Sequence, residues 1–217
     1  MPSVRKSYDE ELLQLDTLLA RMGHEAGAAI ESALTALRND DIELARSVVA
    51  RDSQIDAGEH EIEHRCLQLL LRQQPVASDL RAVSAALRMI SDMERIGDQA
   101  QDIAEIVTFL KGRTGQNDDL LREMARSTIK MVTESVDAFV KHDIMLAEKV
   151  VAYDDVVDNY FEQVKDELIA RIAENPDDGE YALDLLMIAK YFERIGDHAV
   201  NIAEWVMFSV TGVHKEG

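Results

Sequence analysis

Two stretches of this chain are nearly the same stretch. Glu94-Arg95-Ile96-Gly97-Asp98-Gln99-Ala100-Gln101-Asp102-Ile103-Ala104-Glu105 aligns with Glu193-Arg194-Ile195-Gly196-Asp197-His198-Ala199-Val200-Asn201-Ile202-Ala203-Glu204 at a shift of 99, with nine of the twelve positions identical. Shared helical patterning alone rarely gives that. Upstream the correspondence continues at a shift of 102: Met22 meets Met124, Ala45 meets Ala147, Asp52 meets Asp154 and Asp56 meets Asp158. The offset changes near Pro75 and Pro176, in loops, where insertions are tolerated. A chain that repeats itself in this way folds as two copies of one unit, here about residues 8–112 and 116–212.

Breakers and polar clusters divide those copies into six segments, roughly 8–38, 42–72, 76–111, 117–141, 144–174 and 180–211. The cuts fall at Asn39-Asp40-Asp41, Gln73-Gln74-Pro75, Gly112 to Asn117, His142-Asp143 and Asn175 to Gly179. Pro75 and Pro176 lie in these breaks, where they end or begin helices without breaking one. In the first segment Leu12, Leu15, Leu19, Met22, Ala26, Ala29 and Ala33 recur at spacings of three and four, the seam of a helix packed along near-parallel neighbours. Thirty helical residues span ~45 Å, so the elements are long rods. Aromatics at 5% and only three prolines leave too few turns and strand formers for a sandwich or barrel. The expected fold is all-α: two tandem three-helix bundles made from six long helices.

Charge narrows the function. Lys plus Arg number 23 against 42 for Asp plus Glu, a formal net charge of -19, which repels phosphate backbones and anionic lipid. Direct nucleic-acid binding is set aside; cations and basic protein surfaces are what such a chain attracts. A single cysteine, Cys66, cannot form an internal disulfide, and no apolar run approaches the ~18 residues of a membrane span. The N-terminus carries Arg5 and Lys6 and then turns acidic, unlike a signal peptide. A soluble, cytoplasmic protein is expected.

Carboxylates interrupt the seams. The second segment reads Val48, Asp52, Ile55, Glu59, Ile62, Cys66 and Leu69, and its counterpart Val150, Asp154, Val157, Phe161, Val164 and Leu168. The third reads Leu80, Val83, Leu87, Ile90, Glu94, Gly97, Gln101 and Ala104, with Glu193 and Gly196 in its counterpart. Buried carboxylates are costly unless paired, protonated or bound to a cation. Each seam acid has a companion four residues on, one helical turn away on the same face: Asp52 with Asp56, Asp154 with Asp158, Glu94 with Asp98, Glu193 with Asp197. Asp102 adds a third tooth in the first copy. Divalent or trivalent cations between such helices turn repulsion into attraction, and all-oxygen coordination suits magnesium, manganese, calcium or iron. The competing reading is a salt-bridge network with Arg51, Arg95 and Arg194. Gly97 and Gly196 mark close helix approach, room for ions, or both.

The histidines carry less. Glu61-Ile62-Glu63-His64 contains the Glu-x-x-His of di-iron bundles, but the second copy offers Gln163-Val164-Lys165-Asp166 there, so His64 reads as a surface residue. His198 aligns with Gln99 and lacks symmetry as well. No phosphate loop, nucleophile elbow, His-Glu-x-x-His or paired-Cys motif occurs. Cys66 reads as a small buried hydrophobe, and Trp205 and Phe208 as packing or a partner contact.

The doubled Glu-Arg-Ile-Gly-Asp-x-Ala-x-(Asp/Asn)-Ile-Ala-Glu, together with Ala50-Arg51-Asp52-Ser53-Gln54-Ile55-Asp56, resembles the PhoU family of phosphate-specific transport accessory proteins over nearly the whole chain, Tyr8 to Val210. The resemblance implies a cytoplasmic, often homodimeric, non-enzymatic regulator. Such a regulator restrains high-affinity phosphate uptake and phosphate-starvation signalling by contacting the transporter's ATPase subunit and the phosphate sensor histidine kinase, and meets the membrane only through these partners. It also implies multinuclear metal clusters, of iron, manganese, magnesium or zinc, on Glu94 and Asp98 and on Glu193 and Asp197, faced by Asp52, Asp56, Asp154 and Asp158. Asp102 is matched by Asn201, a neutral ligand, which points to a smaller or weaker second cluster. The alternatives are a metal-independent helical scaffold and a carboxylate-bridged metal enzyme; the enzyme calls for symmetrical histidines, which are absent.

Overall fold

The computed structural model describes residues 2–73, 77–110 and 119–213. They form six long helices: α1 (Pro2–Asn39), α2 (Ile42–Gln73), α3 (Ser78–Phe109), α4 (Asp119–Lys141), α5 (Ile144–Glu174) and α6 (Gly179–Thr211). A single 3-10 turn, Pro176–Asp178, leads into α6. Among the described residues there is no strand, and the helix bounds fall within a few residues of the sequence-based cuts except at the start of α1, which begins at Pro2. The breaks expected at Gln74-Pro75 and Gly112 to Asn117 lie outside the described residues.

The hairpin turns show why the chain folds twice in the same way. In the first, Asp40 takes a left-handed φ of 54°, the Asp41 amide reaches back to Ala36 O at 3.0 Å, and the Asp41 carboxylate accepts from the Leu44 amide at 2.9 Å. In the second, His142 takes φ 50°, the Asp143 amide reaches Ala138 O at 2.9 Å, and the Asp143 carboxylate accepts from Leu146 at 3.0 Å. Each turn closes one helix by satisfying an orphan carbonyl and opens the next by capping an orphan amide. The two turns are related by the same shift of 102 that relates the sequences.

Within each half all three helices touch one another: α1 with α2 and α3, α2 with α3, and likewise α4 with α5 and α6, α5 with α6. The halves join along α3–α6 and α1–α4, so one apolar core runs through both. Arg81 Nε reaches Ser209 O, Arg88 lies over the Trp205 ring, Asp92 meets His198, and Asp102 meets Tyr191. As the α3 number rises its α6 partner falls, so these two helices run antiparallel.

One sequence expectation shifts here. α3 packs on α1, α2 and α6, so its buried surface is a broad band through Ala86, Met89, Met93, Ile96, Ala100 and Ile103 rather than a single seam. Within the series from Leu80 to Ala104, Val83, Ile90, Gly97 and Ala104 are buried in that band, Leu87, Glu94 and Gln101 stand at its edge, and Leu80 is 44% exposed. The edge is where Glu94 stands, beside α2 and within reach of water.

Candidate metal centre

The acids come together at the α2–α3 and α5–α6 contacts. In the first half, Asp52, Asp56 and Asp98 each offer a carboxylate oxygen, and these oxygens lie within 4.8 Å of one another. The mid-helix glycine makes this approach possible. A Cβ on Gly97 would stand 2.8 Å from Ile55 Cδ1, so the tip of that side chain would have to shift, and 3.5 Å from Asp52 Oδ1, at ordinary contact. In the second half a Cβ on Gly196 would stand 3.4 Å from Asp154 Oδ1. The close-approach reading of these glycines holds: each has a carboxylate and apolar side chains of neighbouring helices beside it.

Electrostatically these are strained groups. Asp52 is pushed up to about 6, first by loss of water and then by Asp56, Asp98 and Asp102. Its Oδ1 is buried with no hydrogen-bond partner. Asp154 is likewise pushed up to about 6, by burial and then by Asp158, Asp197, Asp155 and Glu193. Glu94 is raised by burial and by Asp98, with Arg95 opposing and Glu59 and Asp56 adding further. Asp158 and Asp197, both on the exposed rim, are raised by burial first and by Glu193 next. Like charges crowded in this way favour either a proton or a cation. An all-carboxylate donor set with an orphaned oxygen fits a hard cation; no nitrogen or sulfur donor joins the Asp52, Asp56 and Asp98 group.

Asp102 and Asn201 are placed differently. Four residues advance a helix ~40° beyond a full turn, so the step from Glu94 through Asp98 to Asp102 rotates ~80° from α2 toward α6. Asp102 accepts a hydrogen bond from the Tyr191 hydroxyl of α6, while its charge still reaches Asp52. Asn201 Nδ2 donates to Asp92 Oδ1 of α3 at 3.0 Å, where His198 Nδ1 also lies at 2.9 Å. Both residues thus stand at the junction of the halves, at the rim of the clusters rather than in the α2–α3 and α5–α6 claws.

The basic residues divide as well. Arg95 lies 3.1 Å from Asp98 Oδ2 and 3.5 Å from Glu94 Oε2, on the outer side. Arg194 faces Asp102 across the junction, and among the described residues no ion pair joins Arg51 to a seam acid. Two groups escaped the sequence reading. Lys190 hydrogen-bonds Glu193 Oε1 at 2.6 Å and lies 2.5 Å from Oε2. Asp92 is the acceptor for both His198 and Asn201. Their signal was present as mismatches within the repeat, Lys190 against Ser91 and Tyr191 against Asp92. His64 is exposed and lies 2.6 Å from Gln68 Nε2, Cys66 is fully buried, and Trp205 stacks edge-on to Phe208 at 5.6 Å.

Known proteins share the fold. The family model described as the PhoU domain matches twice, over residues 19–107 and 121–206. A phosphate-specific transport system accessory protein PhoU homolog of Clostridium acetobutylicum is 32% identical over 212 residues, 96% of each chain. Its namesake from Zymomonas mobilis is 36% identical over 208 residues, covering 95% of this chain and 88% of that one. The crystal structure of PhoU from Pseudomonas aeruginosa superposes with a TM-score of 0.91 at 35% identity, covering 95% of this chain and all of the other. The regulatory protein PhoU of the phosphate transport system of Streptococcus pneumoniae superposes with a TM-score of 0.89 at 28% identity, covering 97% of this chain and 100% of that one.

Proposed function

The chain belongs to the PhoU family, and from that premise we propose that it is a cytoplasmic accessory regulator of phosphate uptake that acts by binding and catalyses no reaction. It restrains the high-affinity phosphate transporter through the ATPase subunit and holds the phosphate sensor histidine kinase in its signalling-off state, working as a homodimer. Among the described residues no helix is long and apolar enough to cross a membrane, so the membrane is reached through these partners.

Cations belong to the same proposal. Asp52, Asp56, Glu94 and Asp98 hold the first, with Asp102 at the rim; Asp154, Asp158, Glu193 and Asp197 form the counterpart set, a weaker site with the neutral Asn201 at its rim. A bound cation supplies positive charge that joins α2 to α3. What these side chains do is present oxygens on rigid helices, with Gly97 and Gly196 beside the seam acids. The observation that supports this most is the convergence of Asp52, Asp56 and Asp98 within 4.8 Å around a buried, unpartnered oxygen. The contacts of Arg95 and Lys190 with neighbouring acids favour the metal-independent adaptor instead, and metal removal separates the two.

Deleting the gene is expected to leave phosphate-starvation genes switched on in phosphate-rich medium, and a pull-down from phosphate-replete cells is expected to recover the ATPase subunit and the kinase. Normal repression in the deletion strain would refute the regulatory reading. Stripping the purified protein with chelator is expected to lower its melting temperature, and adding back manganese or magnesium to restore it, as binding to the folded state alone requires. Indifference to chelator and to added metal would leave the adaptor without its cations.

A further inference from the structure

The two acidic clusters are copies in sequence but not in charge. Lys190 occupies the position that Ser91 holds in the first half, at the shift of 99. Ser91 Oγ donates to Glu59 Oε1 at 3.2 Å, which leaves Glu59 as one more acid over the first cluster. In the second half Glu59 is replaced by Phe161. The Lys190 ammonium lies 5.4 Å from the centre of that ring while donating to Glu193 Oε1 at 2.6 Å and pairing in charge with Oε2 at 2.5 Å. An acid and a hydroxyl have been exchanged together for an aromatic face and an ammonium, the pair that seats a cation against a ring.

Geometry and charge agree on the result. Among the described residues only the first half brings three carboxylate oxygens within 4.8 Å of one another. The positive charge there, Arg95, holds outer oxygens of Glu94 and Asp98 from a side chain that is 58% exposed, and Asp52 Oδ1 stays unpartnered. In the second half the ammonium is already on the seam glutamate, and its charge also lowers the raised Asp158 and Asp197 carboxyls.

We propose that Lys190 is a built-in counter-cation that occupies the second cluster in place of a metal ion, so that the two halves of this chain are unequal and tight divalent-cation binding is confined to the first. This rests on the reading of the first cluster as a cation site. It makes the metal-responsive element the α2–α3 pair, while α5–α6 is held by a covalently attached charge that no chelator removes.

The test is titration of the chelator-stripped full chain with Mn(II) alone, with free Mn(II) followed by electron paramagnetic resonance. One class of tight sites is expected for the wild-type protein, abolished by Asp98→Asn. Lys190→Met keeps the stem against Phe161 and removes the charge; it is expected to add a second class at least ~10-fold tighter than any residual binding there, the equivalent of ~1.4 kcal/mol. The reciprocal Ser91→Lys is expected to weaken the first class by a similar factor, and it decides the matter if Lys190→Met fails to fold. Two equal classes in the wild type, or unchanged binding in Lys190→Met and Ser91→Lys, would overturn the inequality while leaving the cation reading intact. No Mn(II) uptake by the wild type or by either variant would sink the cation reading itself, and this inference with it.

Discussion

Two glycines separate overpacking from ordinary contact, and adding one methyl group to each has opposite consequences. Gly196 lies mid-helix in α6, and a Cβ there meets Asp154 Oδ1 at 3.4 Å, Val157 Cγ1 at 3.5 Å and Met131 Sδ at 3.8 Å, all ordinary van der Waals contacts. Gly196→Ala therefore collects the helix-propensity difference, about 1 kcal/mol, at little steric cost. Gly23 lies in α1 against α4, where a Cβ would stand 2.4 and 2.9 Å from the two Val136 methyls and 3.3 Å from Val136 Cβ. Valine is stiff at χ1 and both of its methyls are involved, so no rotamer relieves the clash and α1 must move from α4. Overpacking of this kind costs about 1–3 kcal/mol, and a clash with both methyls of a stiff side chain falls in the upper part of that range; after the propensity gain of about 1 kcal/mol, Gly23→Ala is less stable by up to about 2 kcal/mol. For a chain of this length each kcal/mol shifts the melting temperature by ~2–4 °C. Urea unfolding in chelator, where slopes and midpoints are both read, is the assay. Gly196→Ala should raise the midpoint and Gly23→Ala lower it, with unchanged slope, and Val136→Ala should relieve much of the Gly23→Ala defect. A Gly23→Ala protein as stable as the wild type, or a Gly196→Ala protein weaker by more than 1 kcal/mol, would show that the two contacts have been misjudged.

Two further outcomes follow from the titrating groups. Asp52 and Asp154 are raised to about 6 from 3.8, so between those values the folded chain holds protons that the unfolded chain has lost. Their contribution to stability is fully present below 3.8 and is lost as pH rises through 6; the melting temperature of the metal-free protein should climb as pH is lowered from 7.5 to 5, a trend that Asp52→Asn with Asp154→Asn should flatten, and a monotonic fall in the wild type would contradict it. Cys66 is fully buried and its thiol is pushed up to about 12, chiefly by burial and secondarily by Glu63, so a disulfide reagent should label it only as the protein unfolds; rapid stoichiometric labelling in native buffer would refute its burial.

Much of the fold could be read from the chain because the evidence for it is local. The repeat is visible as identity, the turns as Asn39-Asp40-Asp41 and His142-Asp143, and the seam acids as polar residues where leucines should stand. The spacing that paired Asp52 with Asp56 and Glu94 with Asp98 works because both members face the same neighbour. Asp102 has a second neighbour, α6, because another turn carries a residue further round the helix. The phase of α3 was displaced for a related reason: a helix in contact with three others has an apolar band too broad to mark one seam. Lys190, Asp92 and Tyr191 stayed hidden because their partners lie across packing contacts whose register no single segment contains. The place to look for them was in the mismatches of an otherwise close repeat.

The antiparallel junction of α3 and α6 has a consequence for which halves can recognise each other. Asp92 meets Asn201 and Asp102 meets Tyr191, and the shift of 99 turns each of these contacts into the other. Two first halves brought together in this geometry would set Asp92 against Asp102 at both places, carboxylate facing carboxylate. A first half and a second half instead set each acid against a donor. Unlike charges and hydrogen-bond donors select partners by rejecting the wrong ones as much as by holding the right ones. The three-helix units therefore obey a mating rule: first halves reject one another, and each first half is completed by a second half.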